Sequence, residues 1–182
     1  MVDKVRMEAA VRETLCALGE DPDREGLKLT PYRVAKWWDE FMSQEADMNA
    51  TTFEAVKVNQ MVVVSGIRVW SVCEHHLLPF WCDVAVGYLC QETIVGLSKI
   101  PRLCRRAGAC LSIQERLVET IARDVRMIAK TQDVAVVAKG RHLCTMMRGV
   151  RSDCDMTSSA ISGAFVKSDV RAEFLALADR GK

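Results

Sequence analysis

The sequence is short of chain breakers and of aromatic residues: 182 residues carry 4 Pro, 10 Gly and 6% Phe, Trp and Tyr. Long flexible linkers are therefore not expected. Charge of one sign is missing as well. The 25 Lys plus Arg against 24 Asp plus Glu leave a net charge of +1, which gives no general pull toward nucleic acid or an anionic membrane. No apolar run approaches the roughly 20 residues that span a bilayer. The segment from Met1 has no signal-peptide pattern, so a cytoplasmic setting is expected. There is no internal repeat, no low-complexity tract and no Gly-x-x-x-x-Gly-Lys phosphate loop. What remains is a chain with 49% hydrophobic and 27% charged residues, long enough for one domain with a real core.

Eight cysteines would suggest a disulfide framework in a small secreted protein. In a reducing compartment they read instead as free thiols used as small buried hydrophobes. That reading covers Cys16, Cys82, Cys90, Cys104, Cys110 and Cys154. Cys73 and Cys144 stand apart because histidines crowd both.

The apolar spacing predicts a helix over 2–18 stopped by Gly19, a turn at Asp21-Pro22-Asp23, and a second helix from Thr30-Pro31, with Thr30 as cap and Pro31 at the first helical position. Residues 43–52 are polar and read as loop. Strands follow at 62–64 and 67–72 with a break or bulge at Ser65-Gly66, then at 80–89 and 93–95. Residues 98–106 and 112–129 read as helices, 133–138 and 142–150 as paired strands, and 169–178 as a closing helix. The order predicts an α+β fold built on an antiparallel sheet, with a helical segment at 1–52 and a catalytic unit at 53–182.

All three histidines lie in two segments, Cys73-Glu74-His75-His76 and His142-Leu143-Cys144. Zinc takes thiolate and imidazole ligands in tetrahedral geometry. Cys73 and His76 have ligand spacing within one turn, and Cys144 supplies a third ligand from a distant segment. Three protein ligands leave a position for water, whose pKa the metal lowers. His75 and His142 then remain as acid-base groups. On a strand, His142 and Cys144 share a face. The plain alternative is buried thiols beside surface imidazoles.

Lys99 and Arg102, with Arg148 and Arg33, form a cationic set suited to phosphate oxygens if they converge; singly, each reads as a solvated surface charge. Glu115 has two readings. It is the N3 member of a capping box begun by Ser112, or an acceptor-only carboxylate for the N1 proton and exocyclic amine of a guanine edge.

Together these segments resemble the GTP cyclohydrolase I family. The resemblance runs from Gly19-Glu20-Asp21-Pro22-Asp23-Arg24-Glu25-Gly26-Leu27 and Thr30-Pro31-Tyr32-Arg33 through Cys73-Glu74-His75-His76-Leu77-Leu78-Pro79-Phe80, Val95-Gly96-Leu97-Ser98-Lys99, Gln114-Glu115-Arg116-Leu117, His142-Leu143-Cys144 and Met147-Arg148-Gly149-Val150. It implies the tunnelling fold, in which subunits assemble a barrel around a pore, as a homodecamer of two pentamers with sites between subunits. It implies zinc on Cys73, His76 and Cys144, and no nucleic acid or membrane partner. It implies His142 as proton donor to purine N7, His75 as a second catalytic imidazole, and Ser98 as a further catalytic group. Glu115 with Gln114 becomes the guanine anchor, which reverses the capping preference. Leu97, Lys99, Arg102, Arg148 and Arg33 become substrate contacts, largely to ribose and triphosphate. The implied reaction opens the guanine imidazole ring of GTP, releases formate and recloses to 7,8-dihydroneopterin triphosphate, a precursor of folate, biopterin or 7-deazaguanine products.

The chain departs from the family pattern at Cys82, Val84, Ser112, Cys154 and Met156, none of them a catalytic position. Two alternatives keep the motifs: a same-fold cyclohydrolase with another product or purine nucleotide, or a non-catalytic zinc protein that binds nucleotides.

Overall fold

The computed structural model describes residues 2–44 and 51–179. Its contacts divide the chain between Gln44 and Glu45 into two compact units. The first is a helical pair, α1 (Lys4–Ala17) and α2 (Thr30–Met42). Asp3 caps α1 by accepting from Arg6 N, and Gly19 ends it at φ +81°. In α2 the expected cap is displaced by one residue. Leu29 occupies the cap position without a side-chain bond, Thr30 is the first helical residue, and Pro31 sits within the first turn. Trp37 stacks on Phe41 at 5.6 Å, as their i, i+4 spacing requires. Most of the expected loop at 43–52 lies outside the described residues.

The second unit is a five-stranded mixed sheet with helices. Its strands are β2 (Met61–Cys73), β3 (Pro79–Leu89), β5 (Leu111–Ser112), β6 (Val134–His142) and β7 (Met156–Ile161), in the order β5-β2-β3-β6-β7. Every pairing is antiparallel except β2 with β5. A separate two-stranded ribbon joins β1 (Thr52–Glu54) to β4 (Thr93–Val95). The helices are α3 (Lys99–Gly108), α4 (Gln114–Ala129), the single turn α5 (Leu143–Met146) and α6 (Ser168–Asp179). The anticipated break at Ser65-Gly66 is a bulge in β2, where register shifts between Val64 and Ile67. Gly66 takes φ +71° there, a conformation that favours glycine.

The period-two pattern of β3 assigns its faces. Phe80, Cys82, Val84, Val86 and Tyr88 join the main core, and so do Val134, Val136 and Ala138 of β6. Leu117, Val118, Ile121, Val125 and Ile128 of α4 and Ile100, Leu103, Cys104 and Ala107 of α3 cover that face. Ala135, Phe165 and Phe174 make a smaller core on the other side. On β2 and β3, Arg68 faces Asp83 in register, and their side chains pair at 2.6 Å.

Two expected elements are corrected. The predicted strand 142–150 does not exist. β6 runs unbroken through Lys139-Gly140 to His142, the chain then turns into α5, and the antiparallel partner of β6 is β7. Ser112 does not cap α4. It pairs in β5 with Cys73, the cap position belongs to Ile113, and no side chain caps that end. Of the thiols read as buried, Cys82, Cys90 and Cys104 are buried, Cys110 is half-buried, and Cys16 and Cys154 are exposed.

Ile121 is fully buried between α4 and the sheet. Ile121→Ala should therefore cost about 2–5 kcal/mol, measured by denaturant unfolding of the whole chain. A cost below 1 kcal/mol, on the order of a surface change, would contradict this packing.

Candidate metal centre and active site

Three strand ends meet at one edge of the sheet. β2 ends at Cys73, β3 begins at Pro79 and β6 ends at His142. The register sets Ser71 opposite Phe80, and Phe80 opposite His142. Between β2 and β3 the chain makes a tight turn through Glu74, His75 and His76. Leu77 N donates to Cys73 O and Cys73 N to Leu78 O, each at 2.9 Å. Leu77 takes φ +54°, a strained value for a branched residue. Arg116 of α4 holds the turn by a two-pronged ion pair to Glu74, at 2.5 and 3.3 Å. That guanidinium keeps the Glu74 carboxyl below its ordinary range.

The turn and α5 bring Cys73, His76 and Cys144 together, with one ligand atom of each within 4.8 Å of the others. Tetrahedral bonds of about 2.0–2.3 Å would set such atoms about 3.3–3.8 Å apart, so a small closure admits an ion. Cys73 is buried, Cys144 half-buried and His76 exposed. Burial and the adjacent Cys73 sulfur push the Cys144 thiol above its ordinary value. Two sulfurs held this close resist becoming two thiolates unless a cation joins them. The donor set therefore fits a borderline divalent metal.

The remaining site residues frame this group. His75 Nδ1 lies 3.8 Å from Cys73 Sγ. Arg148 Nη1 reaches His76 Nε2 at 2.6 Å, so one expected phosphate contact stands at the rim of the metal group. His142 is half-buried and stacks on Phe80, with ring centroids 4.6 Å apart and planes 10° apart. Burial lowers its pKa, and the negative charge of Glu115 opposes that shift. Glu115 is exposed on the first turn of α4. Cys144 is not on a strand two residues from His142 on a shared face. It sits on α5, and Thr145 Oγ1 donates to His142 O at the bend.

Gln114, expected beside Glu115 as a guanine contact, is only 1% exposed. Both ends of its amide are engaged within the protein. Leu97, Ser98, Lys99 and Arg102 occupy the junction of β4 with α3, where Leu97, Ser98 and Arg102 are exposed and Lys99 is half-buried. Arg33 is exposed on α2 of the N-terminal unit. Sequence reasoning missed the Phe80 stack, the Gln114 bond to His142 and the Arg148–His76 contact. Only the pairing register could have found the first.

These features define a class: an α+β protein with a Cys-His-Cys group able to hold a metal ion and a shielded histidine two residues from one of its cysteines. The comparisons go further. A family model described as GTP cyclohydrolase I matches residues 7–179. The GTP cyclohydrolase 1 of Sulfurihydrogenibium sp. (strain YO3AOP1) is 43% identical, covering 100% of this chain and 98% of that protein. That of Aquifex aeolicus (strain VF5) is 44% identical, with 97% of each covered. That of Caldivirga maquilingensis is 41% identical, covering 96% of this chain and 92% of that protein. Among solved structures, an apo archaeosine synthase QueF-Like aligns at a TM-score of 0.46 and 14% identity, over 57% of this chain and 96% of its own. The chain belongs to the GTP cyclohydrolase I family. It is an enzyme, a hydrolase with GTP cyclohydrolase activity.

Cys144→Ala should weaken metal binding by more than about 10²-fold, the most that loss of a merely supporting residue costs. Cys104→Ala, remote in the core, should leave metal content unchanged. Elemental analysis of both purified variants decides, and equal metal in the two would remove Cys144 from the ligand set. Metal uptake should also release protons and weaken as pH falls, since both sulfurs must be deprotonated to bind.

Proposed function

We propose that the chain binds GTP with its guanine against Glu115, opens the imidazole ring at C8, releases formate and recloses the product to 7,8-dihydroneopterin triphosphate. The observation that carries this reading is the Cys73, His76 and Cys144 cluster, with His142 at the end of β6 two residues before Cys144. The ion proposed there is zinc, which supplies, when bound, a water activated at neutral pH.

The chain's own residues do the rest. Glu115 accepts the N1 proton and the exocyclic amine, a pattern that only an acceptor-only group satisfies fully. His142 gives a proton to N7 as C8 is attacked, so that the C8–N bond can break without leaving charge on the ring. Its burial favours the neutral imidazole, which suits a group that must take up a proton and release it again. His75 is the second imidazole, placed for the later hydrolysis. Ser98 serves the ribose stages.

The triphosphate is held and not cleaved. Arg148, Lys99, Arg102, Arg33 and the Leu97 segment bind it and turn remote contacts into orientation at C8. Lys99, Arg102 and the Leu97 segment sit at the junction of β4 with α3 and not at the strand ends that carry the Cys-His-Cys group. That distribution supports sites completed between subunits of a homo-oligomer, read from the family as a decamer of two pentamers with the tunnelling fold.

Metal-replete chain incubated with GTP should yield formate and a pterin that fluoresces as neopterin after oxidation and dephosphorylation. Intact GTP after incubation with folded, metal-loaded protein would contradict the reading. His142→Ala should keep its metal and lose about 10²–10⁴-fold in ring opening; normal turnover would take His142 out of the proton-donor role. Arg148→Ala should weaken GTP more than guanosine in competition binding, and equal weakening would argue against a phosphate contact.

A further inference from the structure

Gln114 opens α4 and is buried against β6 and β7. Its Nε2 donates to Ala138 O, Met156 O and Ser158 Oγ, each at 3.0 Å. Two of those three acceptors are backbone carbonyls, which cannot donate. The amide therefore cannot be turned end for end, because its oxygen would then face two carbonyl oxygens. With that orientation set, Gln114 Oε1 points at His142 Nε2 from 2.9 Å.

An amide oxygen only accepts, so the hydrogen in this bond belongs to His142. A neutral imidazole has one N–H, and here it must be on Nε2. Nδ1 is then the bare nitrogen. Phe80 lies flat against the ring and fixes its plane, so Nε2 stays aimed at the amide oxygen. Gly140, in the β6 stretch that leads to His142, is part of the same cradle. A Cβ there would run into Gln114 Oε1 and come within 2.7 Å of Cys82 Sγ. The absence of that side chain is what admits the amide.

We infer that Gln114 is a positioning residue and not a purine contact: its amide fixes the hydrogen of His142 on Nε2 and so commits Nδ1 to the substrate side. This rests on His142 acting as the proposed proton donor. In the forward step the bare Nδ1 first takes a proton from solvent, giving the imidazolium, and then passes it to N7; the ring returns to the neutral Nε2–H form, and the Nε2–H bond to Gln114 stays unbroken throughout. In the other tautomer a bare Nε2 would face the acceptor-only Gln114 Oε1 and this bond would be lost. A single buried amide thus selects which ring atom does the chemistry.

The test reads hydrogen position directly and does not need turnover. The whole metal-loaded chain is labelled with 15N-histidine, and imidazole spectra are recorded well above neutral pH. The chain has three histidines, and a His142→Asn sample identifies the His142 signals. The expected spectrum has a protonated Nε2 and a bare Nδ1. A His142 protonated on Nδ1 overturns the inference outright, and it can do so on the unmutated protein. Gln114→Leu should mix the two tautomers and lower kcat by about 10²-fold, with KM for GTP nearly unchanged. A raised KM with kcat intact would make Gln114 a purine contact instead. Should Gln114→Leu fail to fold, Gly140→Ala displaces the same amide and should give the same mixed spectrum. Absence of turnover in the unmutated chain would remove the proposed reaction while leaving the tautomer result readable.

Discussion

The register of three strands governs the rest of the molecule. Ser71, Phe80 and His142 stand abreast on β2, β3 and β6. That alignment sets Cys73, the last residue of β2, two residues past Ser71, and Cys144 two residues past His142, the last residue of β6. Side chains on a strand alternate between faces, so a slip of one residue would turn Phe80 and His142 to the opposite face. It would also take Val84, Val86, Val134 and Val136 out of the main core. Core packing and site geometry therefore depend on the same alignment. The α4 helix, seated on that core, contributes Gln114, Glu115 and Arg116 to the site from its first turn.

Electrostatics then explains why a cation belongs at this edge. Burial and the neighbouring Cys73 sulfur raise the Cys144 thiol above its ordinary value, against the opposing charge of Arg148. A divalent ion between the two sulfurs would offset both causes of that shift. The two glutamates near the site differ in their surroundings. Glu74 is tied to Arg116 and fixes the turn, whereas Glu115 stays exposed with its charge felt at His142.

Much of this could be read in the sequence, for identifiable reasons. The β2 bulge was legible from Ser65-Gly66 between two β-branched runs, and α4 from its 3.6-residue apolar period. The metal group was legible because scarce histidines cluster beside cysteines. Local motifs failed where long-range pairing overrode them. Ser112 has the spacing of a cap, yet β5 pairs it with Cys73. Residues 142–150 read as strand, yet Thr145 bonds back to His142 O and the chain coils into α5. β7 was missed because Met156-Thr157-Ser158-Ser159-Ala160-Ile161 is polar on its own and becomes a strand through its partner β6. The role of Gln114 could not be read at all. It depends on acceptors 24, 42 and 44 residues away in the chain.

The central claim is that two sulfurs and one imidazole hold a divalent ion that keeps one position open. X-ray absorption at the metal edge of the loaded chain tests it most directly. The account predicts two sulfur scatterers near about 2.3 Å, one imidazole nitrogen near about 2.0–2.1 Å and one light solvent atom. A shell closed by a fourth protein ligand, or one with fewer than two sulfurs, would contradict it.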